Sequence, residues 1–314
     1  MNILVTGGAG FIGSHLVDHL VQQRRRVVVL DNFSTGRKQF VHPRASLVRG
    51  SITSSQLVSK TLQRYHIGTI VHLAAQKNAR YSVEQPLFDA DQNIIGSLTL
   101  LEAARQQHVK RFVFASTGGI MYGRAKQVPT PETSPAQPQV PYAIAKRTVE
   151  QYLEFYQTVY GLSTIALRLS NVYGPRQDPA GEAGVVAIFL SQLLTGKIPA
   201  IYGSGKQTRD YVFVADVVTA LSQAIDKPAR GIYNIGTGKQ TSVRQLYQQL
   251  NVLVPKPRSP RLAAAVPGDL AVSALQAATA RRRLAWQSST TLSAGLQITY
   301  RWFEQYYGSS ARYL

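Results

Sequence analysis

With 314 residues the chain has ample material for one large domain or two sharing a cleft, and with no cysteine it excludes disulfides, thiolate catalysis and thiolate metal sites. Its 35 Lys and Arg against 16 Asp and Glu give a formal charge of +19, which attracts anions of every kind. The basic residues are dispersed apart from Arg24-Arg25-Arg26 and Arg281-Arg282-Arg283, and neither run sits in a nucleic-acid-binding motif, so a phosphorylated small molecule is expected rather than nucleic acid. No stretch approaches the roughly 18 apolar residues of a membrane helix, and the N-terminus lacks a basic segment followed by a long apolar one; a soluble, cytoplasmic protein is expected.

Taken in order, Asn2 to Thr6 reads as a buried strand, Gly7-Gly8-Ala9-Gly10-Phe11-Ile12-Gly13 as a tight turn, and Ser14 to Gln23 as a helix with Leu16, Leu20 and Val21 on one side. Val27 to Leu30 is a second strand, ending at Asp31. A strand, glycine turn, helix, strand and acid form the order a dinucleotide site requires. Backbone must approach a pyrophosphate at Gly7 and Gly10, Gly13 lets the helix pack closely, and the helix N-terminus offers amides to phosphate. The Asp31 carboxylate can accept ribose hydroxyls and would repel a 2′-phosphate, which implies NAD rather than NADP.

Thr69 to Leu73 is a strand leading to Ala74-Ala75-Gln76-Lys77, Pro86 to Gln107 a long helix, Arg111 to Ala115 a strand and Thr164 to Leu169 another. His72 reads as a satisfied strand-end histidine. Pro141 suits the first position of a helix continuing to Tyr160, which puts Tyr142 and Lys146 one turn apart on one face. An ammonium near a phenol favours phenolate, so the pair is expected to lower the Tyr142 pKa and supply a general base. Ser116-Thr117-Gly118-Gly119 follows a strand end, where ligands of a parallel sheet lie. From about residue 175 the alternation loosens, and Gly181 to Phe189 introduces a further helix.

The turn Thr6-Gly7-x-x-Gly10-x-x-Gly13, the segment Ser116-Thr117-Gly118-Gly119-x-x-Tyr122-Gly123 and the pair Tyr142-x-x-x-Lys146 resemble the extended short-chain dehydrogenase/reductases, the NAD-dependent epimerase/dehydratase family. The resemblance implies a doubly wound parallel sheet (Rossmann), with residues 1–174 binding NAD, segments near 211–250 returning to that domain, and 175–314 forming mainly a smaller nucleotide-sugar lobe. It most resembles the UDP-glucose 4-epimerases, and implies Tyr142 as base, Lys146 as its support and Thr117 as the hydroxyl that orients substrate, with Ser116 as fallback. Implied cofactor contacts are the turn residues through Phe11 and Ile12, then Asp31, Asn32, Ser34, Thr35, Gly36, Ser51, Ile52, Leu73, Ala74, Ala75, Lys77 and Asn93. Implied substrate contacts are Thr117, Tyr142, Asn171, Val185, Tyr202, Arg209 and Asp269. Val266 stands where the family usually has a diphosphate-binding Arg, with Arg261 or Arg176 as substitutes. No metal is implied, because the cofactor supplies the redox step. Gly118 and Gly119, lacking side chains, speak against a 4,6-dehydratase. Alternatives are a UDP-glucuronate 4-epimerase or decarboxylase and, in another class, a non-catalytic NAD-bound or RNA-associated scaffold. Helices 86–107 and 142–160 resemble the pair that forms a homodimer interface in the family.

Overall fold

The computed structural model describes residues 2–180, 184–266 and 268–310. In chain order the first half contains β1 (Asn2–Thr6), α1 (Phe11–Gln22), β2 (Val27–Asp31), β3 (Ser46–Arg49), α2 (Ser55–Arg64), β4 (Ile67–His72), α3 (Ala79–Glu84), α4 (Pro86–Ala90), a π-turn (Asp91–Ile95), α5 (Gly96–Gln106), β5 (Arg111–Thr117), α6 (Pro141–Tyr160) and β6 (Ser163–Leu169). Then follow β7 (Asn171–Tyr173), α7 (Val185–Leu194), β8 (Ala200–Tyr202), β9 (Thr208–Arg209), β10 (Tyr211–Phe213), α8 (Val214–Asp226), β11 (Gly231–Ile235), β12 (Thr241–Ser242), α9 (Val243–Asn251), β13 (Arg261–Ala263), α10 (Ala278–Leu284) and α11 (Leu292–Ser310).

Seven parallel strands form one sheet in the order β11-β6-β5-β4-β1-β2-β3. The chain winds outward from β1 to β3, returns beside β1 as β4, and winds the other way; the β1/β4 junction is therefore the topological switch point, where a doubly wound fold opens a crevice. Both faces are covered. Ile3, Val5, Val29 and Val113 pack with α1, α8 and α10, whereas Leu4, Val28, Phe112 and Phe114 pack with α2, α5 and α6. Burial of alternate side chains on opposite faces is why these strands read as unbroken apolar runs. A third core, around Tyr173, Phe189, Leu190, Tyr211, Phe213, Leu246 and Phe303, fills the lobe beyond the carboxyl ends of the strands.

One expected element changes, and another falls partly outside the described residues. The long helix over 86–107 is interrupted at Asp91–Ile95, where a π-turn inserts and the buried Asn93 Nδ2 donates to Gln76 O and Asp89 Oδ1, both at 2.9 Å. Of the helix expected from Gly181, residues 181–183 lie outside the described residues, and α7 starts at Val185. The α6 helix starts as its sequence dictates, with Pro141 in its first turn, and ends at Gly161, whose φ of +69° suits glycine.

Candidate active site

The glycine turn is shaped by steric necessity at two positions. Gly7 has φ +69°, and a Cβ there would lie 2.8 Å from Ala74 N; a Cβ on Gly13 would lie 2.1 Å from Gly7 O. At the N-terminus of α1, Gly10 provides no side-chain cap and the first turn has no acid, so no carboxylate competes with an incoming anion for its amides. The Thr6 hydroxyl accepts from Leu73 N and Ala74 N, both at 3.2 Å, which stitches the end of β1 to the end of β4. Asp31 is buried and its two carboxylate oxygens accept from Ala9 N at 2.9 Å and Phe33 N at 2.8 Å. Each oxygen keeps acceptor capacity for a ribose hydroxyl.

These residues line one crevice of about 570 Å³ at the switch point. Its wall includes Gly7, Gly10, Phe11, Ile12, Gly13, Asp31, Asn32, Ser34, Thr35, Gly36, Ser51, Ile52, Leu73, Ala74, Ala75 and Lys77, and it continues to Thr117, Tyr142 and Lys146. A glycine cradle that side chains would fill, free helix amides and a buried acceptor fit a dinucleotide.

At the far end, β5 alternation separates two adjacent hydroxyls. Ser116 is buried and donates to Glu150 Oε1 at 2.7 Å, within a network in which Arg168 Nε and Nη2 reach the two Glu150 oxygens at 2.9 and 2.6 Å and Arg168 Nη1 reaches Tyr122 Oη at 2.8 Å. Thr117 is half-buried and lines the crevice. Ser116 also lines the crevice, but its hydroxyl is occupied in holding β5 against α6 and β6, which leaves Thr117 as the candidate for substrate.

On α6, Lys146 is buried, donates to Ala115 O at 2.9 Å, and its Nζ lies 4.6 Å from the Phe114 ring centre and 5.8 Å from that of Tyr142. Burial lowers the Lys146 ammonium to about 8, opposed by the Asp89 and Glu150 carboxylates. The expected lowering of the Tyr142 phenol by its neighbour is overturned: burial raises it, and the Asp89 carboxylate adds to the rise. Desolvation of a phenolate outweighs an ammonium whose own charge is destabilised by the same surroundings.

Other expected residues fall elsewhere. Asn93 does not line the crevice; it braces Gln76, which does, and so positions the wall from behind. The Ser51 hydroxyl lines the crevice but is paired with Thr53 Oγ1 at 2.8 Å. Asn171, Val185, Tyr202, Arg209 and Asp269 lie outside the crevice lining. Arg209 donates to Thr208 O at 2.8 Å and Leu270 O at 2.7 Å and pairs with Asp269, so the two expected substrate contacts hold each other. Pro267, beside Val266, lies outside the described residues. Arg176 Nη2 pairs with Asp18 of α1 at 2.8 Å and its guanidinium covers Phe40 at 5.5 Å, while its Nη1 is buried without a hydrogen-bond partner. Arg261 is exposed on β13, which runs beside β8.

His72 has both ring nitrogens bonded, Nδ1 with Thr6 Oγ1 at 2.8 Å and Nε2 with Ser97 Oγ at 2.9 Å, and burial lowers its pKa well below the usual imidazole value. The crevice also takes in Gln76, Asn78, Tyr81, Phe88, Gln92, Ser170 and Asp178, which the sequence reading missed. Of these, Ser170 had a signal, since it follows directly on a strand end; Asp178 had none.

Residues 3–236 match the NAD-dependent epimerase/dehydratase family. The chain is 43% identical over 310 residues to a UDP-glucose 4-epimerase of Mycolicibacterium smegmatis, covering 96% of this chain and 98% of the relative. A Thermotoga maritima UDP-glucose 4-epimerase solved with UDP-glucose superposes with a TM-score of 0.96 at 44% identity, covering 98% of this chain and all of that one. A Thermus thermophilus UDP-glucose 4-epimerase solved with NAD gives a TM-score of 0.92 at 39% identity, over 96% of this chain and 99% of that one.

Proposed function

Because the chain belongs to the NAD-dependent epimerase/dehydratase family, we propose that it is a UDP-glucose 4-epimerase that inverts carbon 4 of a nucleotide-diphosphate sugar. The observation that carries the reading is that the glycine cradle, Asp31, Thr117, Tyr142 and Lys146 share one crevice. The chemistry that NAD supplies when bound is reversible hydride acceptance with a positively charged ring, through which the sugar passes as a transient 4-keto form. The α1 amides and the Gly7–Gly13 turn hold the pyrophosphate, and Asp31 takes ribose hydroxyls. Lys146, with one hydrogen bond committed to Ala115 O, has two further N–H groups for the second ribose. Thr117 orients the hydroxyl at carbon 4, and Tyr142 removes its proton and later returns it. Because burial raises the Tyr142 phenol, the base form depends on positive charge in the crevice, from Lys146 and from the cofactor ring.

Residues 1–174, with returning segments near 211–250, bind the cofactor, and 175–314 contribute mainly the sugar-nucleotide side. Asn171, Val185, Tyr202, Arg209 and Asp269 are the substrate contacts there, with Asn171 and Arg209 serving the diphosphate and Arg209 oriented in advance by its two carbonyls and Asp269. The protein works as a homodimer, a reading supported by exposed Val83, Leu87 and Ile95 on the 79–95 stretch and Ile144, Phe155 and Val159 on α6. No described helix is long and apolar enough to cross a membrane. A cytoplasmic site fits the cysteine-free composition.

Purified protein should retain NAD and convert UDP-glucose to its 4-epimer, with UDP-glucuronate and UDP-N-acetylglucosamine assayed beside it. Absence of a 4-epimer from every sugar nucleotide, in protein shown to hold NAD, would overturn the assignment. Sedimentation as a monomer at micromolar concentration would overturn the dimer.

A further inference from the structure

The charged residues lining the crevice are Asp31, Asp178, Lys77 and Lys146, which sum to zero, so the excess of +19 resides elsewhere. Two basic runs far apart in sequence, and single cations between them, are gathered by the fold at the opposite edge of the sheet, outside the amino ends of the strands. Arg24-Arg25-Arg26 lead from α1 into β2, Lys110 leads into β5, and Lys227 and Arg230 lead from α8 into β11. A chain of contacts joins them. Arg25 pairs with Asp226 at the end of α8 at 2.8 Å, and buried Arg111 donates to Ala224 O at 2.9 and 2.7 Å and to Ala229 O at 2.6 Å. Tyr233 Oη donates to Arg230 O at 3.0 Å, and α10, whose last turn carries Arg281, Arg282 and Arg283, packs against both β11 and α8, which sets that turn beside them.

All of these surface cations except Lys227, which is half-buried, are exposed, and the carboxylate ion-paired with them among the described residues is Asp226. The C-terminal ends of α1, α8 and α10 offset part of the charge, but each is equivalent to only about half an elementary charge, so most of it stays unneutralised. The exposed large apolar residues nearest this edge, Val159 and Tyr160, end α6 ahead of β6 on the sheet face opposite α1, α8 and α10, so the basic helix ends themselves lack what a helix needs to enter a lipid surface. Arginine predominates over lysine, and its planar fork suits phosphodiester oxygens.

We propose that the amino-end edge of the sheet, from Arg24–Arg26 across Lys227 and Arg230 to Arg281–Arg283, is a second binding surface that takes the phosphodiester backbone of nucleic acid without reading its sequence. It lies at the opposite edge from the crevice, so sugar-nucleotide turnover continues while it is occupied.

The test is fluorescence anisotropy of labelled 20-nucleotide single-stranded RNA and 20-base-pair DNA with the full-length protein between 50 and 200 mM salt. Affinity should fall steeply with salt, and both R24Q/R25Q/R26Q and R281Q/R282Q/R283Q should bind at least about 10-fold more weakly, each lowering the log–log salt slope by about 2 to 3. Both variants should keep wild-type melting temperature and epimerase turnover, and saturating UDP-glucose should leave anisotropy unchanged. No binding by wild type at 50 mM salt, binding that neither variant weakens, displacement by UDP-glucose, or binding to vesicles of anionic lipid in place of RNA and DNA would each overturn the proposal.

Discussion

The half of this molecule proposed to hold the cofactor and the half proposed to hold the sugar nucleotide are built by different means. In the first, contacts are backbone: glycines without side chains, helix amides and one aspartate held by two N–H groups, all on strand ends of a sheet buried on both faces. In the second, the proposed contacts are long side chains on short two- and three-residue strands, such as Arg209 on β9 and Tyr202 on β8, the latter 51% exposed. The difference teaches where precision comes from. A cradle of main chain is fixed once the sheet forms, whereas Arg209 must be oriented by partners from distant segments.

The largest expected effect falls where the halves meet. Tyr142→Phe removes the proposed proton acceptor and should lower kcat about 10²- to 10⁴-fold while NAD content is unchanged, as measured by turnover and by absorbance of released cofactor. If NAD is lost as well, the residue belongs to the cradle and the division fails. Next, Glu150→Ala leaves Arg168 buried without its counter-charge and should cost about 3–5 kcal/mol in urea unfolding, because the pair joins α6 to β6 within the cofactor half. A loss under 1 kcal/mol would mean that the network is not what holds β5 and its hydroxyls in place.

A smaller effect should separate the halves from the other side. Arg209→Ala should raise KM for the sugar nucleotide about 10- to 100-fold, the worth of one charged hydrogen-bonding group, with kcat and bound NAD little altered. Equal losses in kcat would break the comparison. The smallest effect is on stability against pH. Lys146 is lowered to about 8 in the fold, so from there to its unfolded value the unfolded chain binds more protons and stability should rise with pH. Tyr142 and Tyr156, like Tyr173 and Tyr211 of the lobe, are raised by burial, so above about 10 the folded chain holds more protons and stability should fall. Melting temperature followed from pH 7 to 11 should show a shallow maximum, and Lys146→Met should remove its rising side.

What the sequence determined by itself is the part written in short spacings. The Gly7, Gly10, Gly13 turn and the Tyr142–Lys146 pair are legible because a turn and a helix bring such residues together whatever the rest of the chain does. The alternating strands were legible because each buried strand carries its own apolar run. The tertiary structure alone decided that, of Ser116 and Thr117 beside the crevice, Ser116 has its hydroxyl taken by Glu150, that Arg209 meets Asp269 and Arg176 meets Asp18, and that burial raises the Tyr142 phenol. It alone gathered scattered arginines at one edge of the sheet. The physical reason is common to all of these: desolvation and charge pairing depend on distance in space, and a spacing in sequence fixes that distance only within a turn or two of the chain.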